Sequence, residues 1–192
     1  GAGTGSYEPA DRYVLAIEPS DVMASQRPPH APPALRAFAH ALPLRDRAVD
    51  AALAVMTVHH WDAQRERGVR ELRRVARGPV VIATIDPRVC SATWLLADYL
   101  PEAAELVQHV YPWPETLCEW LGGETRVETV LVSRDTPDWS IRAYWAHPER
   151  FLDPAARAAT SSIARLPAPV VERAVLSLRA DLESGAWQRK HG

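Results

Sequence analysis

A chain of 192 residues, 47% hydrophobic and 24% charged, is long enough to bury a sizeable core and has the composition of an ordinary globular domain. Its formal net charge of −2 gives no electrostatic reason to bind nucleic acid or an anionic membrane, and its apolar runs, about eight residues at most, fall short of a membrane span. Cys90 and Cys118 stand without a CxxC or a His/Cys cluster, and no signal peptide is visible, so two free thiols, no metal and a cytoplasmic location are expected.

The chain opens on a glycine-rich bend, Gly1-Ala2-Gly3-Thr4-Gly5. The apolar run Tyr13–Ile17 predicts a strand over 13–18 that closes on Glu18. Glycines let a backbone approach a ligand closely, and a carboxylate at the tip of the next strand can accept hydrogen bonds from ribose hydroxyls. Together, at this spacing, they form a nucleotide-binding signature of a doubly wound α/β sheet. Residues 6–12 leave little room between bend and strand, since a parallel crossover normally takes about a dozen residues. Ser20 caps a short helix through Met23, and the prolines of 27–33 turn the chain into an extended loop. Leu35–Ala41 is expected as a weak third strand, followed by a turn over Leu42–Asp46.

The nearly continuous apolar run Val49–Met56 predicts a strand buried on both faces, running into Thr57-Val58-His59-His60-Trp61. Asp62 is expected to cap a helix over 63–76, with Ala63, Val69, Leu72 and Val75 inward and its arginines in water. Gly78-Pro79 stops it, and Val80–Ile85 is a further strand. Thr93–Leu100 and Glu102–His109 read as helices divided by Pro101, and Pro114–Leu121 as a helix ended by Gly122-Gly123. The alternating Val127–Val132 reads as a sixth strand. Asp153-Pro154 starts a helix that continues towards Leu166. A last helix over 169–184 sets Val171, Val175, Leu178 and Leu182 on one face and stops at Gly185.

This order is the βαβ rhythm of a parallel sheet. The expected fold is α/β: a doubly wound, mostly parallel Rossmann-like sheet with a helical C-terminal extension, the core over 1–135 and the extension over 136–192 of the same domain. The strand that should feed the bend would precede residue 1, so the sheet is expected to be truncated at its N-terminus, its first strand missing.

With these segments in place the chain resembles the class I S-adenosylmethionine-dependent methyltransferases, specifically the type 11 branch, which acts mostly on small molecules. The likeness covers residues 1–87 well and the rest loosely. The glycine bend looks like that family's first motif, and Ile17-Glu18-Pro19-Ser20 like the strand tip that holds the ribose. Phe38-Ala39-His40-Ala41-Leu42-Pro43 resembles the stretch around the adenine. Asp50–Met56, ending in His59-His60-Trp61, resembles the fourth strand and its loop, and Glu71–Gly78 the helix end before strand five. Two departures stand out. The acidic residue expected two places before Gly1 has no counterpart in this sequence. Phe38 stands where an Asp is common, which puts stacking in place of a carboxylate contact. The resemblance implies S-adenosylmethionine as cofactor and a small-molecule methyl acceptor, without nucleic acid or membrane.

The cofactor candidates are therefore Gly1, Gly3, Gly5, Glu18 and Pro19 at the bend and strand tip, and Met23, Phe38, Ala39 and His40 around the base. Ala54, Val55 and Met56 join them at the next strand's tip, where ligands of open α/β sheets sit. Met23, Phe38 and His40 suit packing equally well. His59 and His60 are the acid–base candidates; their side chains cannot both face the site, and a packed or capping histidine is the plain alternative. The pair lacks the HxxxH spacing of a zinc helix. Tyr7 is a contact candidate or a surface lid. Trp94, Trp113, Trp120, Trp139 and Trp145 suit an apolar acceptor pocket or core packing, with residues 88–192 shaping the acceptor side. Two rivals are a nicotinamide-dependent oxidoreductase and a truncated, non-catalytic fragment. The first shares bend and acid but needs a helix N-terminus aimed at a pyrophosphate.

Overall fold

The computed structural model describes residues 1–136 and 141–192, with Ser161 described by its backbone alone. Trp139 lies outside the described residues. The chain forms two compact units, residues 1–85 with 110–126 and residues 86–109 with 127–192.

In the first unit, β1 (Ala52–Val55) and β2 (Val80–Ala83) pair in parallel, with Ala52 opposite Val80 and Val55 opposite Ala83. Two 3₁₀ turns, Val58–His60 and Asp62–Gln64, and the helix α2 (Arg65–Val75) make the crossover. Parallel strands and a helical crossover are the elements of a Rossmann-like α/β fold. Along α2 the buried residues are Gly68, Val69, Leu72 and Val75. They pack with Leu42, Ala54, Val58 and Leu117, the last from helix α5 (Pro114–Leu121). The inner face is the one the 3.6-residue period predicts, except that Ala63 is exposed. Asp62 does not cap the helix. Its φ is +45°, which denies it the extended backbone a capping residue needs, and α2 starts only at Arg65.

The strands are shorter than the sequence predicts. The segments 13–18 and 35–41 meet in one parallel bridge, Ile17 with Leu35, closed by Leu35 N–H to Ala16 O at 2.8 Å and Glu18 N–H to Leu35 O at 3.1 Å. Val49 likewise forms a single bridge to Ala76. Nor is β1 buried on both faces: Ala54 is in the core, while Leu53 and its register partner Val81 are 50% and 51% exposed. Residues 127–132 form no strand, and Val130 and Leu131 are 84% and 86% exposed. Alternation and β-branching favour a strand only where a neighbour accepts its ladder; without one the backbone stays on water.

The second unit is helical. It holds α3 (Pro87–Ser91), capped by Asp86, a π turn over Leu95–Tyr99 and α4 (Pro101–Val110). After two 3₁₀ stretches, Ile141–Ala146 and Pro148–Leu152, come α6 (Pro154–Ala159), α7 (Ser161–Ala164), α8 (Ala168–Glu183) and α9 (Ala186–His191). The helix begun at Asp153 breaks at Thr160, whose hydroxyl donates to Ala156 O and accepts from the Tyr144 hydroxyl, each at 3.0 Å. Helix α8 buries Ala174 and Leu178. The chain does not end its helices at Gly185. That residue turns at φ +72° into α9, whose Trp187 is buried edge-on against Trp94, ring centroids 5.3 Å apart.

Candidate functional site

The N-terminal bend is held by the strand end it precedes. Ala2 N–H donates to Ile17 O at 2.8 Å. The Glu18 carboxylate then takes two backbone donors, Gly3 N–H at 2.7 Å on Oε2 and Ser20 N–H at 2.8 Å on Oε1. With 5% of its surface exposed, Glu18 is a nearly buried acid placed directly against the glycines. Gly3 and Gly5 adopt φ of +56° and +92°, conformations that L side chains rarely take. A β-carbon on Gly1 would overlap Thr57 Oγ1, which brings the bend to the residue that follows Met56 at the tip of β1. Ser20 caps α1 (Asp21–Ser25) through its hydroxyl, and the Met23 methyl lies 3.4 Å from where a β-carbon on Gly3 would stand. Pro19 O accepts from Arg36. Gly1, Gly3, Gly5, Glu18, Pro19 and Met23 therefore form one cluster.

The parallel bridge between Ile17 and Leu35 carries both segments out at the same end, so Phe38 and His40 follow it on the side of Glu18. The two rings stack, centroids 5.3 Å apart and 22° from parallel, with Phe38 59% exposed and Ala39 buried between them. At the end of β1, Ala54 is buried, while Met56 is a non-glycine residue at φ +49°; strain of this kind clusters at ligand sites. Beyond it, the 3₁₀ turn carries both histidines, which differ in exposure. His59 is half-buried and His60 exposed. Their rings lie 3.9 Å apart, and His59 also faces Tyr111 at 4.4 Å. Tyr7 is exposed.

Three groups at this site escape a reading by local pattern. Arg27, from the proline-rich loop, reaches Glu8 and the carbonyls of Gly3 and Pro32. Arg74 does not face water as expected of the helix arginines. It donates to Leu42 O at 3.2 Å, Leu44 O at 2.8 Å and Asp46 at 2.8 Å, and pairs with Glu71. Glu71 in turn accepts from Leu42 N–H at 3.0 Å. The Arg74 hydrogen bond holds the Glu71 carboxyl below the ordinary carboxylate range, and the two carboxylates raise the Arg74 guanidinium further. The pair pins the turn after Phe38–His40. Tyr111 is the third; only its fold position reveals it, since it lies far along the chain from His59.

The tryptophans divide between packing roles. Trp120 packs on the core of the first unit. Trp94 sits edge-on to Tyr99 and Trp187 and donates to Trp145 O at 3.1 Å. Trp113 and Trp145 are 39% and 48% exposed. Both cysteines are free. Among the described residues no group of three or more His, Cys, Asp or Glu is placed to hold a metal ion, and no helix is long and apolar enough to cross a membrane.

A nearly buried acid folded against a glycine bend beside a parallel strand tip is an arrangement suited to a nucleoside in an α/β protein. Comparison with known proteins then gives the family. Residues 1–82 match the family model described as a methyltransferase domain. A crystal structure of an Anabaena variabilis protein, described as a methyltransferase from an antibiotic biosynthesis pathway, is 34% identical with a TM-score of 0.87, covering 100% of this chain and 81% of that one. A Thermotoga maritima protein, described as an S-adenosylmethionine-dependent methyltransferase and candidate histamine N-methyltransferase, is 25% identical with a TM-score of 0.50, covering 63% of this chain and 58% of that one. No curated protein sequence matches. The chain belongs to the class I S-adenosylmethionine-dependent methyltransferases, in the type 11 branch, and is an enzyme of that family.

The residues present fit that family's cofactor. Each Glu18 oxygen carries one backbone N–H and keeps a second lone pair for a hydroxyl, and the bend beside it is built from glycines whose backbone conformation excludes most side chains.

Proposed function

We propose that this methyltransferase binds S-adenosylmethionine on the face formed by the glycine bend, Glu18 and the tip of β1, and transfers its methyl group to a small-molecule acceptor. The observation that carries the assignment is the Glu18 carboxylate, oriented by Gly3 and Ser20 N–H at 2.7 and 2.8 Å. Glu18 receives the ribose hydroxyls. Gly1, Gly3 and Gly5 leave the backbone bare for the cofactor's chain, and Pro19 shapes the turn beneath it. Met23, Phe38, Ala39 and His40 enclose the base, with Phe38 supplying a stacking face. Ala54, Val55 and Met56 present backbone at the strand tip.

When bound, the cofactor supplies a methyl group already activated on a sulfonium, so alignment is the protein's main task. Of the two histidines we assign proton transfer to His59. It is half-buried against Tyr111, and its Nδ1 is buried, which leaves Nε2 as the atom that takes a proton from the acceptor. Such a base contributes ~10²–10⁴-fold; exposed His60 flanks it. Residues 1–135 form the cofactor-binding core of this scheme, in a doubly wound parallel sheet, and 136–192 the helical extension.

Calorimetry tests the reading. S-adenosylmethionine is expected to bind with 1:1 stoichiometry and to raise the melting temperature, whereas NAD should do neither. Binding of NAD alone, or of neither compound, rules the scheme out.

A further inference from the structure

In most nucleotide-binding sheets a long crossover helix braces the glycine bend, but here residues 6–12 are all that separate it from the next segment. Backbone bonds within the bend are few: Gly5 N–H to Ala2 O and Glu8 N–H to Gly5 O, both 3.0 Å. Two glycines at positive φ would leave such a bend free to change shape unless something holds it. Arg27 is in position to do so. Its side chain is 4% exposed, and Nη2 lies 2.8 and 2.9 Å from the two Glu8 oxygens. Nη1 faces Gly3 O at 3.4 Å, while Nε and Nη2 reach Pro32 O at 3.2 and 3.0 Å. Gly3 is thus gripped at both ends, its N–H by Glu18 and its carbonyl by Arg27. A guanidinium is buried this deeply only where its donors are matched. The third glycine of the motif also belongs to this arrangement, because a β-carbon on Gly5 would stand 3.2 Å from Arg27 Nη1.

We infer that Arg27, with Glu8, is the positioning residue that keeps the glycine bend in its cofactor-receiving shape, doing the work of the abbreviated crossover helix. The inference rests on the cofactor reading above. Its thermodynamic content is preorganisation: the apparent dissociation constant rises as the receptive fraction of bends falls. The loss of a buried, charge-assisted contact corresponds to about tenfold in such an equilibrium.

The test compares wild type, Arg27→Met, Arg27→Lys and Glu8→Gln by calorimetry with S-adenosylhomocysteine at a temperature where each is folded. Amide hydrogen exchange of the ligand-free proteins is followed in parallel. Arg27→Met is expected to bind about tenfold more weakly and to exchange faster at Gly5 and Glu8, with exchange in α2 unchanged. Arg27→Lys keeps the charge opposite Glu8 but not the fork, so it should recover affinity only in part. Equal affinity in wild type and Arg27→Met would overturn the inference, as would faster exchange spread over α2, which marks a general loss of stability. If Arg27→Met does not fold, Arg27→Lys and Glu8→Gln decide by the same criteria. A wild type that fails to bind removes the cofactor assignment itself, a result distinct from any difference among variants.

Discussion

Replacing Gly68 by alanine pits two effects of known sign against each other. In the interior of an exposed helix this change stabilises by about 1 kcal/mol, because glycine loses more backbone freedom on folding. In α2, however, the new β-carbon would stand 2.5 Å from Trp61 Cε3 and 2.8 Å from Cζ3. Carbon atoms rest near 3.5–4.0 Å apart, so the indole must move by roughly 1 Å. Trp61 is packed on the core cluster that holds Val58, Val69 and Leu72, and overpacking of this sort costs about 1–3 kcal/mol. The clash outweighs the propensity gain, and Gly68→Ala should destabilise by ~1 kcal/mol in urea unfolding. In a Trp61→Leu background the obstruction is gone, and the same change should stabilise. A double-mutant cycle over the four proteins then gives a coupling of on the order of 1–2 kcal/mol. If Gly68→Ala stabilises the wild-type background, the reasoning fails, for the ring would have yielded at no cost.

Glu18→Gln should weaken S-adenosylmethionine binding at least about tenfold and destabilise by ~1–3 kcal/mol, because one of its two backbone donors would then face an amide N–H₂; calorimetry and urea unfolding check both. Arg74→Met should free the turn over Leu42–Asp46, seen as faster exchange at Leu42 N–H, and lower Tm by on the order of 2–4 °C, equivalent to ~1 kcal/mol in a chain of this length. The Glu71 carboxyl is held low in the fold, so its stabilisation is complete above the ordinary carboxylate range and disappears as pH falls through the lower folded value. The Tm difference between wild type and Arg74→Met should accordingly shrink in acid; a constant difference would contradict the pairing. Burial pushes the Cys90 thiol up to about 11, leaving roughly one thiolate in a thousand at pH 8. Iodoacetamide should modify Cys118 in the native protein well before Cys90, as peptide mapping would show.

What was legible beforehand depended on how local its cause is. The glycine bend and Glu18 are short-range features, and their spacing brought them together as read. The Ser20 cap and the inner face of α2 follow from side-chain chemistry and helical period, which act within one element. Strand extent was not legible from the same sequence. Val127–Val132 has the composition of a strand, but a strand exists only with a partner, and the run alone contains no information about one. Asp62 has the side chain of a cap but a backbone set at φ +45°, which no local pattern reports. Arg27 and Arg74 look like solvated charges in sequence; both act across 19 to 32 positions of chain, a range no periodicity reports.

Leu117 joins the core around β1 and α2, yet it is translated only after residues 86–109, which belong to the other compact unit. During synthesis the outer flank of α2 therefore stays bare until α5 has left the ribosome, and the nascent βαβ segment cannot seal itself. A chaperone that recognises apolar helix faces would find its target in that interval.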